Sequence, residues 1–120
     1  MKLEQLSAAI AKGDTLKALY GNDAAIIAAQ AKRYEEALAT FKSTFGHDDA
    51  EMFSSPGRTE IGGNHTDHNY GRVLAGAVNL DNIAVAKPNG TMKVRILSSG
   101  YPQFEVDLNN LEPNKEEYFT

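Results

Sequence analysis

Apolar residues recur at spacings of three and four through the first part of the chain and at spacings of two towards its end. That order predicts helices first and strands after them. Leu3, Leu6 and Ile10 share one face of a helix over residues 3–11. Gly13-Asp14 breaks it, and Asp14 is the expected cap of a short helix carrying Leu16, Leu19 and Tyr20. Gly21 closes that turn, and Asn22-Asp23 opens a third helix. In it Ile27, Ala31, Tyr34, Leu38, Phe41 and Phe45 trace one apolar stripe, with alanine, glutamate, lysine and glutamine filling the other faces until Gly46. A stripe of this kind is read as a packing face rather than a docking site for a partner.

From Ala50 the pattern changes. Met52-Phe53-Ser54 reads as a short strand. Val73-Leu74-Ala75 with Ala77-Val78 is a small-residue run suited to a buried strand or a tight helical turn, and Ile83 to Ala86 reads as a further strand. Pro88-Asn89-Gly90 marks a turn. Met92, Val94 and Ile96 then alternate with Lys93 and Arg95, and Phe104, Val106 and Leu108 alternate with Glu105 and Asp107. Three successive strands joined by short turns predict an antiparallel meander. The fold class expected is therefore α+β, helices followed by an antiparallel-rich mixed sheet, with a helical segment over 1–46 and the sheet-forming segment over 47–120.

Between these patterned regions, residues 55–71 read SPGRTEIGGNHTDHNYG. A run so polar and glycine-rich cannot form a hydrophobic layer. Glycine permits close approach to the main chain, and the hydrogen-bonding side chains are free for a ligand. Arg58 brings a permanently charged fork of donors. His65 and Asp67 lie one residue apart, so an extended backbone points them the same way. On spacing alone Arg58 reads first as a surface arginine or a structural ion pair, and Glu60 is open to pairing with a nearby Lys or Arg. A zinc site is the competing reading of His65, Asp67 and His68, with His47-Asp48-Asp49 upstream. It lacks a third convergent ligand, because adjacent residues such as Asp67 and His68 point apart. Neither the dinucleotide fingerprint nor the P-loop pattern fits residues 57–63.

Composition narrows the classes further. The 120 residues suit one ordinary domain, and 42% hydrophobic with 23% charged residues supports a moderate core. A net charge of −4 with scattered basic residues argues against a nucleic-acid surface. The chain has no cysteine, which removes disulfides, thiolate nucleophiles and Cys-ligated zinc. The first residues lack the apolar core of a signal peptide and no run reaches membrane-spanning length, so a cytoplasmic protein is the expectation.

The central stretch resembles the signature of the galactokinases, sugar kinases grouped with homoserine and mevalonate kinases. The family pattern, Pro-Gly-Arg-x-Asn-x-Ile-Gly-Glu-His-x-Asp-Tyr, is matched in spacing throughout and in identity at Pro56, Gly57, Arg58, Gly63, His65 and Asp67. Glu60, Gly62, Asn64 and His68 stand where asparagine, isoleucine, glutamate and tyrosine are usual. The resemblance runs from Phe41 through Asn69-Tyr70-Gly71-Arg72-Val73-Leu74 and Asn79-Leu80-Asp81 towards Leu111-Glu112-Pro113. It implies a lobe like the second domain of ribosomal protein S5, and a chain that is the amino-terminal piece of a longer, two-lobed enzyme. The activity implied is transfer of the ATP γ-phosphate to the anomeric hydroxyl of galactose. Arg58 would serve beside the catalytic aspartate, and Asn64, His65 and Asp67 would hold the sugar. ATP and Mg2+ would be bound mainly by residues not present in these 120, since no glycine- and serine-rich phosphate loop occurs here. Asn64 offers an amide where a carboxylate is usual, which brings in galacturonate or N-acetylgalactosamine as alternative substrates. A non-catalytic sugar sensor on the same fold is the alternative of a different class. The partners expected are a hexose and the remainder of the kinase chain, with no nucleic acid and no membrane. An isolated piece of such a lobe is also expected to leave apolar surface uncovered, and so to self-associate or to be only marginally stable.

Overall fold

The computed structural model describes residues 1–63, 66 and 70–112. They form an α+β arrangement in two compact units, Met1–Lys87 and Pro88–Thr120. The first unit contains helices α1 (Leu3–Lys12), α2 (Asp14–Tyr20) and α3 (Ala24–Phe45), then strands β1 (Glu51–Gly62) and β2 (Leu74–Ala86). The second contains β3 (Lys93–Ile96) and β4 (Phe104–Asp107).

The helical expectations hold in their main lines. Asp23 caps α3, its Oδ1 accepting from the amides of Ala25 and Ile26 at 2.9 and 3.1 Å. Gly46 ends the helix. The apolar stripe is the packing face: Tyr34, Leu38 and Phe41 are buried with Leu3, Ile10, Leu16 and Ala50, and Ile27, Ala31 and Phe45 pack at the margin. Burying side chains of this size contributes about 1.5–3 kcal/mol each. Asp14 is not a cap. Gly13, at φ 78, both closes α1 and precedes α2, so α2 starts at once and Asp14 lies in its first turn. There it pairs with Lys12 Nζ at 2.9 Å.

The amino terminus is tied down beside the strand that follows the helices. Leu3 N donates to Asp48 O, and Ala50 N donates to Met1 O. The short strand expected at Met52–Ser54 is instead a twelve-residue strand that carries on through Pro56 and Gly57 to Gly62. Proline and glycine are tolerated there because a two-stranded ladder has only edges, where a missing N–H can face solvent. The two apolar runs after the signature and the strand at Ile83 are likewise one strand, β2, antiparallel to β1. Met52, Ile83 and Val85 turn inward onto the helical core.

The expected three-strand meander is corrected by the pairing. Ile83 to Ala86 ends the strand that pairs with β1, whereas β3 pairs antiparallel with β4 from Lys93↔Asp107 to Ile96↔Phe104. The alternation in each strand was legible, but a two-residue period does not say which strand is the neighbour. The Asn89 side chain organises the turn before β3, accepting from Thr91 N at 2.9 Å and donating to Lys93 O at 2.8 Å.

Candidate functional site

Arg58 lies in β1, the first paired residue past a change of register in the ladder. Pro56 faces Asp81, and Arg58 faces Ala77. Gly57 alone therefore spans the gap that Val78, Asn79 and Leu80 fill on β2, a bulge that bends the ribbon and re-aims its side chains. A Cβ on Gly57 would sit 3.3 Å from both Leu80 O and Val78 Cγ2, so the bulge is tightly seated on that glycine. Past it the Arg58 side chain is 75% exposed, with Nη2 3.6 Å from Glu60 Oε1. Glu60, which stands where asparagine is usual, has Arg58 as its partner. An exposed pair of this kind adds little stability, and it leaves most of the guanidinium's donors available.

β1 and β2 are joined by residues 63–73, and the base of this connection is built from close backbone contacts. Gly63, at φ 85, presents its carbonyl to Thr66, accepting from the amide at 3.2 Å and from Oγ1 at 2.7 Å. Thr66 O accepts from Gly71 N at 2.8 Å. A Cβ on Gly63 would fall 2.2 Å from Arg72 O, and one on Gly71 would fall 2.4 Å from Thr66 Cβ. Thr66 is thus a structural pin of the signature that the sequence reading passed over; the cue was a hydroxyl three residues after a glycine, suited to a local side-chain-to-backbone bond. Asn64, His65 and Asp67, the expected sugar-binding residues, lie outside the described residues, as does His68 of the zinc alternative. Of the expected site residues the structure places Arg58, and it brings Arg58 together with Glu60.

Where β2 meets the helices, a second polar group converges that the sequence reading did not single out. The Asp81 side chain is 6% exposed. Its Oδ1 accepts from Arg33 Nη1 at 2.6 Å, while Arg33 Nη2 donates to the Asp81 carbonyl at 2.6 Å. Its Oδ2 accepts from Tyr20 Oη at 2.5 Å and from Ser54 Oγ. Tyr20 Oη also lies 2.9 Å from Tyr34 Oη, the two rings meeting edge to face. One carboxylate thereby joins α2, α3, β1 and β2. Burial works to raise its pKa, but the hydrogen bonds from Ser54, Tyr20 and Arg33 and the Arg33 charge outweigh it, holding the carboxyl at about 2. Tyr20 moves the other way: burial and its bond to the anionic Asp81 raise its hydroxyl well above the ordinary value. The available cue was position. Asp81, Ile83 and Val85 share one face of β2, and an acid on a core-facing row calls for buried partners.

Among the described residues no group of three His, Asp or Glu side chains converges as a metal site, and no helix is long and apolar enough to cross a membrane.

Comparison with known proteins bears on residues 39–88, which match the family model described as the galactokinase galactose-binding signature. A galactokinase of Streptococcus suis is 34% identical over 89 residues, covering 72% of this chain and 23% of that protein. One from Streptococcus thermophilus is 36% identical, covering 67% of this chain and 21% of that protein. One from Candida parapsilosis is 35% identical, covering 69% and 17%. The chain thus spans about a fifth of the length of these three relatives. No solved structure matches.

Proposed function

We propose, from the premise that this chain belongs to the galactokinase family, that it supplies part of the sugar pocket and one cationic helper of an ATP-dependent sugar 1-kinase. The substrate is galactose, phosphorylated at its anomeric hydroxyl. The observation that carries this reading is the signature match over 39–88, with Arg58 held at a bulge so that its guanidinium stays open to a ligand.

Phosphoryl transfer depends on positioning and on offsetting charge that spreads over the transferred group. Arg58 supplies a fixed positive charge for both purposes: it keeps a neighbouring carboxylate ionised and stabilises developing negative charge. Asp67 accepts hydrogen bonds from ring hydroxyls, and His65 and Asn64 reach the far end of the hexose. ATP and Mg2+ supply the phosphoryl group and its charge neutralisation when bound. They are assigned mainly to residues other than these 120. The helical segment 1–46 braces the lobe that begins at 47.

A second substrate reading rests on Asn64, which brings an amide where the family usually has glutamate. It favours a hexose whose far end prefers a donor, such as galacturonate with its carboxylate there; N-acetylgalactosamine, altered beside the anomeric carbon, is the other candidate substrate. The deciding experiment is ATP turnover by the complete kinase carrying this segment, measured on galactose, galacturonate and N-acetylgalactosamine, alongside Asn64→Glu. Galactose-dependent ADP release supports the main reading. Preference for another sugar that Asn64→Glu returns to galactose supports the second. Sugar binding without turnover identifies a sensor and overturns the kinase assignment.

A further inference from the structure

The ladder between β1 and β2 has its register interrupted on both sides of Arg58, at Pro56/Arg58 and at Glu60/Gly62. Such a ribbon is poorly specified by itself, because it has two edges, little apolar cover beyond Met52, and small residues at Gly57, Gly62, Ala75, Gly76 and Ala77. A slip of one residue sends every side chain to the opposite face. Arg58 projects usefully only in one register. Something must fix where the bulge falls.

Asp81 is the β2 residue at that place. It pairs with Pro56, the last β1 residue before the register shift. The same side chain is gripped by Arg33, Tyr20 and Ser54, from two helices and from β1 itself, two residues before Pro56. Arg33 also holds the Asp81 carbonyl, so backbone and side chain are clamped together. We propose that Asp81 is the positioning residue for Arg58: its clamp to the helices pins β2 at the bulge and so determines the face on which the Arg58 guanidinium is presented. This rests on the reading that Arg58 serves phosphoryl transfer. Asp81 does not touch the substrate; it acts through the ladder.

Two measurements test it. In the 120-residue chain, cross-strand backbone proton contacts between Arg58 and Ala77 and between Thr59 and Gly76 are followed by NMR in the parent and in Asp81→Asn. The expected result is that these contacts weaken or shift register in the variant while α3 keeps its helical signals. Unchanged contacts overturn the inference. In the complete kinase, Asp81→Asn is made in the parent and in an Arg58→Ala background. Misplacing a catalytic group by about an ångström costs on the order of 100-fold, so partial loss of register is expected to lower kcat roughly tenfold in the parent. In the Arg58→Ala background the same change is expected to lower kcat by less than about twofold, since there is no guanidinium left to misplace.

Equal losses in both backgrounds indicate general destabilisation and overturn the inference. No loss in the parent overturns it as well. If Arg58→Ala by itself leaves kcat unchanged, the catalytic reading of Arg58 fails and this inference falls with it; a damaging Arg58→Ala with additive Asp81→Asn sinks the inference alone. Should Asp81→Asn not fold, Ser54→Ala removes a single donor from an exposed position and takes its place. It is expected to give a smaller kcat loss with the same dependence on Arg58, and additivity there overturns the inference.

Discussion

Arg33 Nη1 donates to Asp81 Oδ1 across 2.6 Å, joining the middle of α3 to the strand that faces Pro56. Because the hydrogen bonds around it hold Asp81 at about 2 against an ordinary 3.8, its carboxyl binds protons less readily in the folded chain than in the unfolded one. The unfolded state then takes up more protons between those values, so this contribution to stability is present above about pH 4 and is lost as pH falls through about 2. It amounts to at most about 2 kcal/mol, and solvent around the partly exposed Arg33 trims it further. Urea unfolding at pH 6, 4 and 2.5 is expected to show this loss in the parent and a flatter acid limb in Asp81→Asn. Parallel acid limbs for the two proteins would contradict it.

How much of this was readable beforehand depended on the range of the interaction. The α3 stripe from Ile27 to Phe45 was legible because burial repeats with the helical period, and Asp23 and Gly46 mark its ends locally. Pro56 and Gly57 looked like strand breakers, yet β1 runs through them because the stretch of β2 opposite them is supplied from more than twenty residues away. The partners of Asp81 were illegible for the same reason: its core-facing row calls for buried partners, but Tyr20 and Asp81 are 61 residues apart, and nothing near either residue names the other. Tyr20 and Tyr34 read as apolar positions, although their hydroxyls bond inside the structure. Arg58 was legible from its motif, whereas Thr66, which secures the base of the loop, was hidden among more reactive neighbours.

The connection between the strands gives a sharp contrast between adjacent glycines. A methyl at Gly63 would meet Arg72 O at 2.2 Å from a backbone at φ 85, while one at Gly62 would meet nothing within 4 Å. Gly63→Ala is therefore expected to destabilise the chain by about 1–3 kcal/mol through backbone strain and displacement of the Thr66 bonds. Gly62→Ala is expected to change stability by less than about 0.5 kcal/mol. Urea midpoints of the two variants check this, and equal effects would show that the base of the loop is not built as described.

Among the described residues Leu16 is the most deeply buried large side chain, 1% exposed within the helical cluster. Replacing it with alanine removes contacts that the surrounding helices cannot fully close over, at a cost of about 2–5 kcal/mol. Leu19→Ala on the same helix, where the side chain is 48% exposed, is expected to cost far less. Thermal unfolding of both variants distinguishes a packed core from a loose one, since a molten helical layer would respond similarly to the two changes.

Arg58→Lys isolates what the guanidinium contributes beyond charge. The side chain is 75% exposed and its ion pair with Glu60 spans 3.6 Å, so folding is expected to change by less than about 1 kcal/mol. Lysine keeps the charge but loses the rigid fork that fixes a planar array of donors. If Arg58 positions and neutralises the transferred phosphoryl group, kcat of the complete kinase falls by roughly 100-fold, in line with the loss of one aligned donor at a developing anion. Arg58→Ala, which also removes the charge, falls further. A lysine variant as active as the parent would show that charge alone suffices, and an alanine variant as active as the parent would leave Arg58 with no part in the chemistry beyond its pair with Glu60.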